Sequence, residues 1–339
     1  MPNTEPVSHS GTILSGMRPT GQLHLGNYFG ALQNWVALQD SYQCIYTIVD
    51  IHALTTIETP EDIATIRPNI YEMALDWLAA GIDPNQSTIF IQSHIPEVMT
   101  LNTLLSMVTP LGWLMRVPTF KEKVRQMEQT EESVNYGLVG YPILQTADII
   151  LYKADTVPVG QDQLPHLELA REIVRRFNNR FGETFPEPQA KLTKVPLIVG
   201  LDGQQKMSKS LDNHIDLASS DEDTTKRVLT AFTDPQRTTR DTPGRPSVCN
   251  VYSLHNIFTE ESDVSTINQE CTSATRGCVD CKRQLAENLN TYLGPMRERR
   301  SELSKRPDDI KDILSQGAKN ARKIAQSTIA EVYEKMGLS

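Results

Sequence analysis

The chain has 339 residues, 39% hydrophobic and 22% charged, which is the composition of an ordinary globular protein long enough to bury one large core or two moderate ones. A formal net charge of −9 argues against a global basic footprint for nucleic acid, and no run of about 18 apolar residues offers a membrane span. The polar opening Met1–Ser10 has no basic stretch ahead of an apolar one, so the chain is expected in the cytosol, with neither DNA nor a membrane as partner.

Thr12 to Leu14 reads as a short strand, followed by a Gly/Pro turn and a helix beginning near Gly26. That geometry aims backbone N–H groups at an anion, His24 and Asn27 can reach phosphate oxygens, and Gly26 leaves room for a purine ring. Helical patterns at Tyr28 to Gln39, Pro60 to Ala80 and Gln163 to Phe181 alternate with β-branched apolar runs at Cys44 to Val49, Ser87 to Gln92 and Thr156 to Val159. This alternation predicts an α/β fold with a parallel sheet wrapped by helices. Ligands in such sheets sit at the carboxyl ends of strands, where the His24 turn, Asp50-Ile51-His52 and Gly160-Gln161-Asp162 all fall.

Asp148 interrupts an otherwise apolar helical segment, either as a carboxylate facing solvent or as a buried functional one. Arg171, Arg175, Arg176 and Arg180 recur at near-helical spacing, as a solvated helix face or a surface for a nucleic-acid backbone. Lys206-Met207-Ser208-Lys209-Ser210 puts two ammonium groups and two hydroxyls on a polar loop, where mobility is expected and lysines can close over a leaving pyrophosphate. Beyond Asp221 strand runs fade, and helix-like segments are punctuated by Asp234-Pro235, Thr242-Pro243-Gly244-Arg245-Pro246 and Arg306-Pro307. Lys282 to Arg306 holds seven Lys/Arg against three acids, a solvated face or a surface for a nucleic-acid backbone. A last helix, Asp308 to Met336, has one apolar face that includes Ile310, Leu314, Ala321, Ala325, Ile329 and Val332.

Five cysteines in a cytosolic chain are expected as thiols or metal ligands. Cys44 sits in a predicted strand; Cys249, Cys271, Cys278 and Cys281 follow Cys-x21-Cys-x6-Cys-x2-Cys. Only the last pair forms the close knuckle usual in zinc sites, and all-thiolate ligation equally suits a [4Fe–4S] cluster.

The pairing of His24-Leu25-Gly26-Asn27 with Lys206-Met207-Ser208-Lys209-Ser210 resembles the two signatures of class I aminoacyl-tRNA synthetases. The stretches from Tyr141 to Tyr152 and from Val157 to Leu169 are similar to bacterial tryptophanyl-tRNA synthetases, and the resemblance runs from about Thr12 to the C-terminus. It implies a Rossmann-like catalytic domain over 1–204 with the C-terminal helix, 307–339, packing back on it. It also implies a helical anticodon-binding domain over 205–306 that includes the lysine loop, and a homodimer. The implied reaction uses L-tryptophan, ATP and tRNA(Trp), with Mg²⁺ bound through the phosphates. The resemblance assigns catalysis to His24, Asn27, Lys123, Lys206 and Lys209, and ATP contacts to Gly26, Gly160, Asp162, Met207, Ser208 and Ser210. Asp148 would accept the indole N–H, Tyr141 and Gln163 would hold the α-ammonium, and Gln145 and Arg18 would line the tryptophan site. These last two depart from the commoner pattern, which has methionine and glutamine there; a guanidinium at Arg18 can pair bidentately with the substrate carboxylate. A subset of the family carries a four-cysteine pattern like this one and binds a [4Fe–4S] cluster, with zinc as the lesser alternative. The rivals are a tyrosyl-tRNA synthetase, which would need a phenol partner not identified here, and a non-catalytic tRNA-binding paralogue, which would show damaged ATP motifs.

Overall fold

The computed structural model describes residues 10–57, 59–126, 134–192 and 198–338. The chain divides into two compact units, Met1–Gly21 with Asn34–Lys194 and Arg306–Ser339 forming one, and Gln22–Gln33 with Val195–Lys305 forming the other. The segment carrying His24 therefore belongs to the second unit, although sequence reasoning placed it with the sheet.

The first unit is built on a parallel sheet of strands β1 (Thr12–Met17), β2 (Gln43–Ile48), β3 (Ser87–Ile91), β4 (Thr156–Val159) and β5 (Gln189–Leu192), in the order β3-β2-β1-β4-β5. The inner strands are nearly continuous apolar runs because helices cover a parallel sheet on both faces; Ile13, Ile45, Tyr46, Ile48 and Phe90 are fully or almost fully buried. β5 lies at an edge, its Gln-Ala-Lys-Leu run is largely exposed, and no apolar pattern announces it.

Crossover helices have local causes. Pro60–Ala80 starts where the Thr59 hydroxyl accepts from the Asp62 N–H, with Glu61 and Asp62 at the positive end of the helix, and stops at Gly81, whose φ of 113° suits glycine. Tyr136–Leu151 starts where the Asn135 side chain accepts from the Leu138 N–H, and is buried along most of its length. Pro307–Met336 packs against β3 and the Pro96–Ser106 helix. Its Gly317 lies so close to β3 that a Cβ there would stand within 2.7 Å of the Ile89 carbonyl carbon. Ala321, Ala325, Ile329 and Val332 join the same core as Leu14, Ile45 and Phe90.

In the second unit a short helix, Leu25–Asn27, runs into a π-helical turn, Tyr28–Leu32. The helices Asp221–Leu229, Asn250–Phe258, Glu261–Thr272 and Cys278–Ser304 follow. Phe29, Phe258 and Tyr292 form an aromatic cluster, Phe29 and Tyr292 being stacked at 6.0 Å. Asp234 clamps Arg245 through two oxygens, at 2.6 Å and 3.0 Å, fixing the loop before Asn250–Phe258. Among the described residues no helix is long and apolar enough to cross a membrane.

Candidate active site

In the first unit, Ile48 of β2 pairs with Ile91 of β3, so the segments leaving these strands emerge side by side at the carboxyl end of the sheet. Asp50 stitches them together, its Oδ1 accepting from the N–H groups of Ile51 (3.1 Å) and Ser93 (3.0 Å). Behind it, Gln92 Oε1 accepts from the backbone of Ile51 and His52, while Gln92 Nε2 donates to both oxygens of Asp148 at 2.9 Å and 2.7 Å. His52 Nε2 lies 2.9 Å from Asp148 Oδ2. Asp148, 4% exposed, is therefore a buried carboxylate in a cage of donors and not a solvent-facing one, which removes one of the two readings its sequence allowed.

Two turns earlier on the helix, Tyr141 is buried with its hydroxyl 2.6 Å from His166 Nε2, and Gln145, one turn earlier, is half-buried. Arg18 follows β1 and donates to the Thr56 hydroxyl at 3.1 Å; burial lowers its guanidinium from the ordinary value while Tyr141 opposes that shift. After β4, Gly160 and Asp162 are exposed, and Gln163 Nε2 donates to Asp162 Oδ2 at 2.9 Å. The Asp162 carboxylate folds back over Gly160, its Oδ1 standing 2.6 Å from where a Cβ would be. Lys123 lies in the Pro118–Gln126 helix, and its side chain falls outside the described residues. Gln92, His52 and His166 carry no distinctive sequence signal as a set; only their shared position after strands, or on a helix start after one, could have flagged them.

The second unit brings His24 and the lysine loop together. His24 forms an antiparallel bridge with Asp216, Leu25 N–H donates to Ile215 and Leu217 N–H to Leu23, so the segment is stapled to the chain just past the lysine loop. Asn27 Oδ1 accepts from the His24 N–H at 3.1 Å. Gly26 packs so that a Cβ would meet the His24 ring at 2.9 Å and Met207 at 3.4 Å. The loop itself is pegged: Met207 is buried, Asn213 Oδ1 accepts from Ser208 N–H at 2.7 Å, and Asn213 donates to Asp202 at 2.8 Å. Ser208 and Ser210 hydroxyls are 2.8 Å apart, while Lys206 is exposed and Lys209 half-buried. Burial, with His214, Lys209 and Lys206 adding positive charge nearby, pushes the His24 imidazole down to about 4. A neutral imidazole with two ammonium groups acting on it is an arrangement suited to an anion.

Residues 8–294 match the family model described as tRNA synthetases class I (W and Y). The chain belongs to this family. Curated synthetases similar to it include the tryptophan–tRNA ligase of Deinococcus radiodurans, 44% identical over 328 residues and covering 96% of this chain and 98% of that protein. The tryptophan–tRNA ligase of Thermotoga maritima is 43% identical, with 96% and 99% covered. Among solved structures, the Campylobacter jejuni tryptophanyl-tRNA synthetase complexed with ADP and tryptophan superposes with a TM-score of 0.87 at 38% identity, covering 96% of this chain and 100% of that one. The fold is that of a class I synthetase, a parallel-sheet α/β unit together with a mostly helical one.

The remaining expectations for this synthetase fare differently. Cys249, Cys271, Cys278 and Cys281 are neighbours in the second unit: burial pushes the Cys281 thiol up to about 12, with Cys249, Cys271 and Cys278 adding to the rise. Yet among the described residues no three His, Cys, Asp or Glu side chains are arranged to hold a metal ion, so the expected ligand set is not formed here. The side chains are engaged elsewhere: Arg237 Nη1 is 3.6 Å from Cys271 Sγ, and His255 Nε2 is 3.4 Å from Cys281 Sγ. The arginines of Leu164–Phe181 are also occupied locally. Arg171 and Arg175 pair with Glu168 and Glu187, Arg175 also with Glu172, and Arg176 donates to the Val108 carbonyl at 2.6 Å. That face is therefore largely self-neutralised, which weakens it as a surface for a phosphate backbone.

Proposed function

We propose that this synthetase activates L-tryptophan with ATP and transfers it to tRNA(Trp). The observation that carries the reading is the buried Asp148 carboxylate at the carboxyl end of the sheet, an acceptor-only group that favours a ring N–H donor and penalises a side chain lacking one. The naming of the similar proteins as tryptophan–tRNA ligases supports it.

In this reading the tryptophan carboxylate attacks the α-phosphorus of ATP, the bond to the β-phosphate oxygen breaks, and pyrophosphate leaves. No covalent enzyme intermediate is needed, so the chain contributes position and charge. Asp148 takes the indole N–H, Tyr141 and Gln163 hold the α-ammonium, Arg18 pairs with the carboxylate, and Gln145 lines the ring. His24, Asn27, Lys206 and Lys209, joined by Lys123, meet the phosphate oxygens; Gly26, Gly160, Asp162, Met207, Ser208 and Ser210 frame the nucleotide. Mg²⁺, when bound through the phosphates, supplies further neutralisation of the pyrophosphate. The finer parts of the proposal are a homodimer, an anticodon-binding role for 205–306, and a [4Fe–4S] cluster on the four cysteines, which would have to turn Cys271 from Arg237 and Cys281 from His255. The cluster is supported by the all-thiol donor set and its spacing.

ATP–pyrophosphate exchange measured with each of the twenty amino acids tests the core reading. Exchange dependent on tryptophan alone is expected. Exchange with tyrosine would move the assignment to the sister specificity, and none with any amino acid would leave a non-catalytic paralogue.

A further inference from the structure

Gln92 is fully buried at the end of β3, and its amide has only one orientation open to it. Its Oε1 accepts from the N–H groups of Ile51 (3.2 Å) and His52 (3.3 Å), which only the carbonyl end of an amide can do. Nε2 is thereby turned toward Asp148 and donates to Oδ1 at 2.9 Å and Oδ2 at 2.7 Å. His52 Nε2, 2.9 Å from Oδ2, completes a second bond to that oxygen. A carboxylate has about four lone-pair positions, two on each oxygen. Gln92 Nε2 is shared between the two oxygens and lies nearer Oδ2, and His52 contacts Oδ2 alone, so Oδ1 is the less committed oxygen.

Resting on the reading of Asp148 as the indole partner, we propose that Gln92 is the positioning residue of the specificity site, committing Oδ2 of Asp148 together with His52 so that Oδ1 is left to accept the ring N–H of the substrate. Locked by two backbone donors, Gln92 cannot rotate its carbonyl toward Asp148 to repel it, and cannot offer its own carbonyl to the substrate as a substitute acceptor. Selection for a ring donor is thus set by the β2–β3 loop pair as well as by the helix carrying Asp148. The other titratable groups around this carboxylate, among the described residues, are His52, Tyr152 just past the end of the same helix and Glu97. Glu97 pairs with Arg322 at 3.0 Å, and burial, with the charges of Asp148 and Glu97, raises the Tyr152 hydroxyl.

The test is Gln92→Glu, which keeps side-chain volume and the acceptor for Ile51 and His52, removes the donors to Asp148 and, when ionised, sets a second negative charge against it. In ATP–pyrophosphate exchange near neutral pH, KM for tryptophan should rise about 10–100-fold while KM for ATP changes by less than about twofold. Selection for tryptophan over its analogue with sulfur in place of the ring nitrogen, 3-benzothienylalanine, should fall in parallel. Acidification should restore a donor by protonating the introduced carboxyl, so the variant's KM for tryptophan should drop toward that of the wild type as pH falls. Gln92→Met, which has no donor at any pH, should show the same rise without that recovery, and it carries the test if the first variant does not fold. Unchanged KM and selection in the variants, or equal rises in both KM values with no recovery in acid, would overturn the role of Gln92. Asp148→Asn, measured alongside, separates the two layers: if it too leaves selection against the sulfur analogue intact, the indole assignment itself is wrong.

Discussion

Gly317→Ala adds a single methyl group where the Pro307–Met336 helix meets β3, and its cost can be worked from the backbone alone. The new Cβ would overlap the Ile89 carbonyl oxygen and stand 2.7 Å from its carbon and 3.1 Å from the Ile89 nitrogen. A side-chain neighbour could rotate away, but a strand backbone held in register by Tyr46 of β2 cannot. Alanine returns about 1 kcal/mol of helix propensity, whereas overpacking against fixed atoms costs about 3 kcal/mol or more. The net loss is about 2–3 kcal/mol, which for a domain of this size lowers Tm by roughly 4–10 °C. Because Gln92 directly follows β3, the displacement should also reach the Asp148 cage, so KM for tryptophan should rise in the same protein. Thermal melts followed by circular dichroism, with exchange assays at a temperature where both proteins are folded, measure the two effects. A variant that melts at or above the wild-type temperature would show that the helix can shift without cost, and the packing argument would be wrong.

Lys206→Ala and Lys209→Ala should each slow adenylate formation about 100-fold or more while changing the tryptophan Kd by less than about twofold, since their partners are phosphate charges that grow toward the transition state; single-turnover kinetics and equilibrium dialysis give the two numbers, and equal losses in both would refute the assignment. His24 should titrate near 4 by NMR and not at the usual 6.5. Its folded value lies below the unfolded one, so the unfolded chain binds the proton first, and the His24 contribution is complete above about 6.5 and lost as pH falls toward about 4. Denaturant melts of His24→Asn should accordingly lose less stability across that window than the wild type, and a midpoint near 6.5 would contradict the burial of the ring. Cys278→Ser should abolish iron and sulfide binding in protein purified without oxygen, leaving adenylate formation largely intact while tRNA charging falls; stoichiometric zinc without iron in the wild type would dismiss the cluster and leave the synthetase assignment standing.

Strands β1 to β4 were legible because burial on both faces writes a parallel strand as an unbroken apolar run, and Pro60–Ala80 because its ends carry Thr59 and Gly81. β5 was not, since an exposed edge strand needs no such run. The residues with motif chemistry, His24 and Lys206 to Ser210, could be named from spacing, but their pegging by Asp202, Asn213 and Asp216 depends on contacts that no local pattern encodes. Gln92 illustrates the limit most plainly. As the last polar residue of an apolar run it reads as a strand end, and only the register of β2 against β3 brings it to Ile51 and His52. The cysteines show the opposite case: their spacing suggests a ligand set, while among the described residues no three His, Cys, Asp or Glu side chains are arranged to hold a metal ion.

The helix that closes over β3 begins at Pro307, after all of Val195–Lys305 has passed. During synthesis on the ribosome, the strand that leads into Gln92 is therefore made early and stays uncovered on that side until the last helix emerges. The His24 segment waits as well, because its partners Ile215, Asp216 and Leu217 come much later in the chain. Both units thus depend on contacts between distant parts of the sequence, which slow folding and prolong exposure of an edge strand to aggregation. A nascent chain stalled before Pro307 should be a substrate for chaperones even though every residue proposed for tryptophan and ATP, from Arg18 to Ser210, has already been made.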